Sequence, residues 1–294
     1  MARPGLSFRE RLGAVERRAR RFPPIRGLMT INDAYNAVGG GLLASGLAFS
    51  ALFAVIPGLL LVVSVVVLVV ADAGTQKQVT DWLILQVPPL HDVAEQIVQS
   101  VANSAKAGTV LGLVGFLWGA SGFYLALENA LGRFFPSRRG RDPIMGRVRS
   151  IVAVMLVVFG VLGAFGVNVL LSFAAERIGL GANDALAFMS PVIAVAAASL
   201  ICLACYRLVP VDPPTVQAAA PAALLAGAFI GFLTALFGYI APLLVRGFTA
   251  LGAIASVFIA LIWFGYVFQA FLYGAAYARM RDSRLRVQQG PPTV

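Results

Sequence analysis

Three observations predict an all-α, polytopic membrane protein with six transmembrane helices. Apolar residues make up 59% of the 294-residue chain and charged residues only 12%, about half the charged share of an ordinary soluble domain. Six apolar runs approach or exceed the roughly 20 residues needed to cross a hydrocarbon core of about 30 Å. The charges between those runs fall on alternate sides. With the N-terminus inside, 19 of the 23 basic residues are cytoplasmic, and only Lys77, Lys106, Arg177 and Arg246 are external. This distribution follows the positive-inside rule and sets both termini in the cytoplasm.

Residues 1–36 form a basic cytoplasmic arm. Arg3, Arg9, Arg11, Arg17, Arg18, Arg20, Arg21 and Arg26 are opposed up to that point only by Glu10 and Glu16. Such an arm enforces topology and attracts anionic lipid, by about 1 kcal/mol per basic residue near the surface. The uncharged run Leu42 to Ala71 follows. It is too long for the h-region of a cleaved signal, which spans about 7–15 residues, and reads as a retained first crossing. As one helix it would measure about 45 Å. Pro57 lacks an N–H and crowds the preceding turn, which predicts a kink there. Gly39, Gly40, Gly41 and Gly46 predict close helix contact on its first half.

The membrane domain spans 37–278. Its outer segment, 80–107, places Leu90, Val93, Ile97 and Val101 at spacings of three and four, as in an amphipathic helix lying on the outer interface. The second crossing runs from Thr109 to Leu131, the third from Ile151 to Phe173 and the fourth from Ala187 to Tyr206. Ala218 to Val245 is the fifth and Ala253 to Ala278 the sixth. Residues 279–294, with Arg279, Arg281, Arg284 and Arg286, are a basic cytoplasmic tail. After the second crossing, Arg133, Arg138, Arg139 and Arg141 offer planar guanidinium groups suited to the phosphate of an anionic headgroup.

Catalytic patterns do not emerge. His91 is the sole histidine, too few for a histidine-based zinc site. Cys202 and Cys205 lie in an apolar run with no further thiol or imidazole near, and read as small packing residues. There is no Walker-type phosphate loop, and every aspartate is outside the apolar runs. The expectation is a protein that is not an enzyme, with no metal, no cofactor and no nucleic-acid partner. Its expected partners are membrane lipids, anionic ones above all, and a small amphiphilic substrate.

A sparse set of polar or amphipathic side chains remains within the crossings. Trp118, Ser121, Tyr124, Glu128 and Asn129 lie in the second, Asn168 in the third and Gln269 in the sixth. Such groups are costly in lipid and turn toward partners or a cavity, so they predict a cavity or gate among helices one, two and six. Glu128 is the sole carboxylate in a long apolar run. Arg133 marks the inner end of that helix, which puts Glu128 about 7.5 Å from the edge. At such a rim it contacts a headgroup or pairs with Arg138 or Arg139.

Four stretches, taken in order, resemble the YihY/BrkB family of bacterial inner-membrane proteins, once labelled ribonuclease BN. They are LAFSALFAVIP (Leu47 to Pro57), LWGASGFYLALENALGRFF (Leu117 to Phe135), YRLVP (Tyr206 to Pro210) and ALGAIASVFIALIWFGYVFQAFLYGAAYA (Ala250 to Ala278). The resemblance covers roughly residues 30 to 280. It implies a six-helix protein of the bacterial inner membrane that transports or exports a lipid-like or envelope amphiphile. The alternative is a non-transporting structural or partner-binding protein docked through its arginine-rich cytoplasmic face. The ribonuclease label is regarded as a misassignment, in keeping with the missing metal cluster. Two departures stand out. Where the family shows an acid after the glycine of the last helix, this chain has Gly274, Ala275 and Ala276, which removes the group that proton coupling there would need. The tryptophan that often follows the arginine of the second helix is Phe134 or Phe135 here.

Overall fold

The structure, a computed structural model, describes residues 23–69, 74, 91–137, 182–247 and 253–288. Among them the regular elements are all helices: α1 (Pro23–Ala37), α2 (Gly40–Val69), α3 (His91–Phe134), α4 (Ala182–Leu208), α5 (Val216–Gly247) and α6 (Ala253–Gln288). Five of these, α2 to α6, are long and apolar enough to cross a membrane. The expected crossing Ile151 to Phe173 lies outside the described residues.

The end of the basic arm is itself helical. α1 stops at a turn in which the Gly39 N–H donates to the Asn36 carbonyl at 3.0 Å, with Gly39 at φ 72°. Glycine adopts that left-handed conformation without a Cβ penalty. Gly40 lies under the Tyr35 ring, where a Cβ would overlap the aromatic carbons. Gly41 and Gly46 meet nothing among the described residues. Among the described residues, then, one glycine on this half turns the chain, one accommodates a ring, and Gly41 and Gly46 make no close helix contact.

The close approach lies on α3. Gly108, Gly112, Gly115 and Gly119 meet Ser64, Leu61, Pro57 and Phe53 of α2 in turn. Spacings of four, three and four hold these glycines on one helix face. A Cβ at 112 would fall on the Leu61 backbone nitrogen, and one at 119 on the Phe53 carbonyl. Apolar burial gives helices little reason to associate in hydrocarbon, so backbone-level van der Waals contact takes over. α2 is continuous through Pro57, consistent with one crossing and not two. Proline has no N–H to give the carbonyl one turn back, and that carbonyl belongs to Phe53, the group facing Gly119.

The described part of the amphipathic segment, from His91, is the first part of α3, set off by a non-helical residue, Ser104 (φ −157°, ψ 52°). Val101 is buried, and Val93 and Ile97 pack with Phe237, Ile259 and Trp263. Val93, Ile97 and Val101 thus turn toward the helix bundle, while Leu90 lies outside the described residues. The crossing proper, Ser104–Phe134, extends beyond the expected Thr109 to Leu131 at both ends.

α4 and α5 pair through Gly227 against Ser199 and Gly231 against Val195. α6 touches α1, α2, α3 and α5, and its small residues Ala270, Ala275, Ala276 and Ala278 are buried. It continues past Ala278 to Gln288. The first part of the expected tail is therefore a helical extension of the sixth crossing.

Candidate functional site

The last turns of α3 form one wall of a cavity of about 370 Å³. Glu128 with Gly132, and Asn129 with Arg133, are i,i+4 pairs on adjoining strips of the helix, and all four line the cavity. Gly132 contributes no side chain, which leaves room between the charged groups. The helix closes with the Phe135 N–H donating to the Leu131 carbonyl at 2.8 Å. Pro136 then takes the chain out of the helix, and Phe135, Pro136 and Ser137 line the cavity beneath.

Val209, Pro210 and Val211, in the turn after α4, form the facing wall. Several bonds fix that turn. The Val209 N–H donates to the Cys205 carbonyl at 3.2 Å. Tyr206 is 0% exposed, and its hydroxyl donates to the Phe271 carbonyl on α6 at 2.5 Å. Gly274 makes space for that hydroxyl, because a Cβ there would run into it. The Arg207 guanidinium donates to the Pro214 carbonyl at 2.6 Å. Asp282, 8% exposed, accepts the Thr215 N–H at 2.8 Å through Oδ1 and the Arg286 Nε–H at 2.7 Å through Oδ2. A carboxylate at the start of α5 satisfies an amide there and complements the helix dipole. The turn from Tyr206 to Thr215 is thus braced against α6 at both of its ends.

The residues singled out in the sequence separate into three groups. Glu128, Asn129 and Arg133 share the cavity. Trp118 is 82% exposed, and the Ser121 hydroxyl donates back to the Trp118 carbonyl at 2.7 Å; with exposed Leu125 they mark the outer face of α3. Tyr124 is half-buried against the cluster that contains Leu127 and Leu131. Gln269 lines a different cavity, of about 440 Å³, between α2 and α6 with Ser45 and Tyr266, and the Ser45 hydroxyl donates to the Gly41 carbonyl at 3.1 Å. Asn168, Arg138, Arg139 and Arg141 lie outside the described residues. Among the described residues, Glu128, Asn129 and Arg133 line a cavity at the end of α3, and Gln269 lines one between α2 and α6.

Sequence reasoning missed the valine–proline wall, the Tyr206 hydroxyl bond and Asp282. Asp282 had a signal, as the sole acid of a basic tail. Cys202 and Cys205 are buried free thiols within the cluster that holds Tyr206. Among the described residues no three or more His, Cys, Asp or Glu gather as a metal site.

The family model described as Virulence factor BrkB matches residues 31–293. No curated protein matches the chain, and no solved structure matches it.

Proposed function

The chain belongs to the Virulence factor BrkB family, and we propose that it transports or exports a lipid-like amphiphile whose headgroup enters the cavity at the end of α3. The observation that carries this reading is the meeting of Glu128, Asn129 and Arg133 around one space of about 370 Å³. That size falls within the roughly 300–1,000 Å³ of small-ligand sites. A polar recess at the end of an apolar bundle suits a molecule with a polar head and hydrocarbon chains. The proposed topology has six crossings, both termini in the cytoplasm and the cavity at the cytoplasmic rim of a bacterial inner membrane. The arginine distribution supports it. No catalytic step, metal or cofactor enters this proposal.

The test is a flip assay on the full chain reconstituted in vesicles that carry a labelled phospholipid. Transport predicts that label crosses the bilayer faster than in protein-free vesicles. Intact, folded protein that moves no lipid in either direction would sink the reading. A second reading, docking of a cytoplasmic partner, draws on the helical extension of α6, where Arg279, Arg284 and Arg286 are exposed. It predicts that removing those arginines is harmful while Glu128→Gln is silent.

A further inference from the structure

We infer that the groove between α2 and α6 holds one ester-linked acyl chain of a glycerolipid, with the ester carbonyl accepting a hydrogen bond from the Gln269 amide. The inference goes beyond the preceding reading, because this groove shares no lining residue with the cavity at the end of α3.

The groove follows one strip of α6. Phe258, Ile262, Gly265 and Gln269 line it at intervals of four, three and four, which holds them on a single helix face. From the first to the last the strip is about 16 Å long, about half of a hydrocarbon core of about 30 Å and so the reach of one leaflet. Ala48 and Phe49 of α2 form the other side. Gly265 makes the recess: a Cβ there would meet no atom within 4 Å among the described residues.

The polar end of the strip lies just inside the membrane surface. Tyr273, one turn beyond Gln269 toward the arginine-bearing end of α6, donates from its hydroxyl to Asn32 Oδ1 at 2.9 Å in an exposed bond. Tyrosines of this kind mark the membrane–water interface. Gln269 is therefore about 6 Å inside that level, where lipid esters join their chains. Its side chain is half-buried and makes no hydrogen bond among the described residues. The amide carries two N–H donors, which are costly to leave facing hydrocarbon.

The chemistry of the lining selects the occupant. None of the described lining residues is charged, so a phosphate or a free carboxylate would be buried without a counter-charge. A helix of a second copy spends its backbone carbonyls on its own hydrogen bonds. An ester carbonyl is an uncharged acceptor joined to hydrocarbon. It satisfies the amide, and its chain covers the apolar remainder of the strip.

The experiment titrates the full chain in detergent with dioctanoylglycerol and with its dioctyl ether analogue, and native mass spectrometry reads the bound fraction and the oligomeric state. The probes differ only in their carbonyls, and neither has a phosphate for the cavity at the end of α3, so the outcome is separate from that of the flip assay. The ester is expected to bind about fivefold more tightly, the factor that one neutral hydrogen bond supplies. Gln269→Leu should bring the two to equal affinity by weakening the ester alone. Gly265→Leu should weaken both by filling the recess, with no loss of thermal stability; should that variant fail to fold, Gln269→Leu decides. Equal affinities on the unmodified protein overturn the inference, as does an ester preference that survives Gln269→Leu. Binding that a folded Gly265→Leu leaves untouched also overturns it. A dimer that Gly265→Leu turns into a monomer gives the groove to a second copy and overturns it as well.

Discussion

Between α2 and α3, Gly112 and Gly119 meet the backbone of Leu61 and Phe53, and Gly108 and Gly115 meet the side chains of Ser64 and Pro57. Between the turn after α4 and α6, the joint is made of directed bonds: Tyr206 to the Phe271 carbonyl and Asp282 to the Thr215 amide. At Gly112 and Gly119 the first joint has no side chain to rearrange, so an atom added there must displace backbone. The second depends on polar partners that can be removed one at a time. The cavity is built on both kinds of element. Its charged wall is the end of the glycine-packed helix, and its apolar wall is the turn held by the bonds.

The largest expected effect comes from breaking the glycine joint. Gly119→Val adds three carbons against the Phe53 carbonyl and should cost about 3 kcal/mol of unfolding free energy in detergent, the upper part of the usual range for overpacking. Gly46→Ala is the matched control, since a Cβ there meets nothing among the described residues. It should be neutral, or slightly stabilising through the better helix propensity of alanine. Equal losses from the two variants would show that glycine acts through conformational freedom and not through close approach.

A smaller loss is expected from the bonded joint. Asp282→Ala leaves the Thr215 N–H without its acceptor and Arg286 without its carboxylate, which should cost about 1–2 kcal/mol. Unlike Gly119→Val, it should also loosen the Val209–Val211 wall and weaken headgroup binding at the cavity more than it lowers stability. Asp282→Asn, which keeps an acceptor oxygen for the amide, should recover most of the stability and little of the bond to Arg286. Thermal unfolding and lipid titration on the same two variants check both halves.

These two joints were unequally legible in the sequence. Long uncharged runs declare membrane helices because hydrocarbon leaves backbone groups no other partner. The distance from Glu128 to Arg133 is simple helix arithmetic, and Glu128 does lie near the end of α3. Which azimuth of a crossing faces its neighbours is a different matter, because both faces are apolar when one meets lipid and the other protein. Polarity and spacing suggest a cavity for Trp118 and Ser121, whereas among the described residues both are exposed and line neither cavity. Gly41 and Gly46 looked as suited to close contact as Gly112 and Gly119. Only the register of α2 against α3 separates them, and register is a property of the pair. Asp282 was hidden by the arginines around it, since charge counting reads the tail as uniformly basic.

The smallest effect separates the regions by pH. On the α6 side, Tyr35 stacks on Tyr273 with ring centroids 4.0 Å apart and planes 10° from parallel. Burial pushes the Tyr35 phenol up to about 12, with a lesser contribution from Tyr273. The folded chain then holds that proton more tightly than the unfolded chain, whose phenol titrates near 10. The stabilisation is fully present below about pH 10 and fades as pH rises through about 12. The glycine joint contains no ionisable side chain among Gly108, Gly112, Gly115, Gly119 and their α2 neighbours, so alkali should free α1 from α6 while α2 and α3 stay paired. Hydrogen exchange of the α1 and α3 amides across that interval reads the two separately. Tyr35→Phe should cost less than about 0.5 kcal/mol at neutral pH, because the Tyr35 hydroxyl has no hydrogen-bond partner among the described residues and removing an unpaired buried hydroxyl is near neutral. The same variant should flatten the alkaline response of α1. A response that persists without the Tyr35 hydroxyl would move the titration to another group and leave the stack a purely apolar contact.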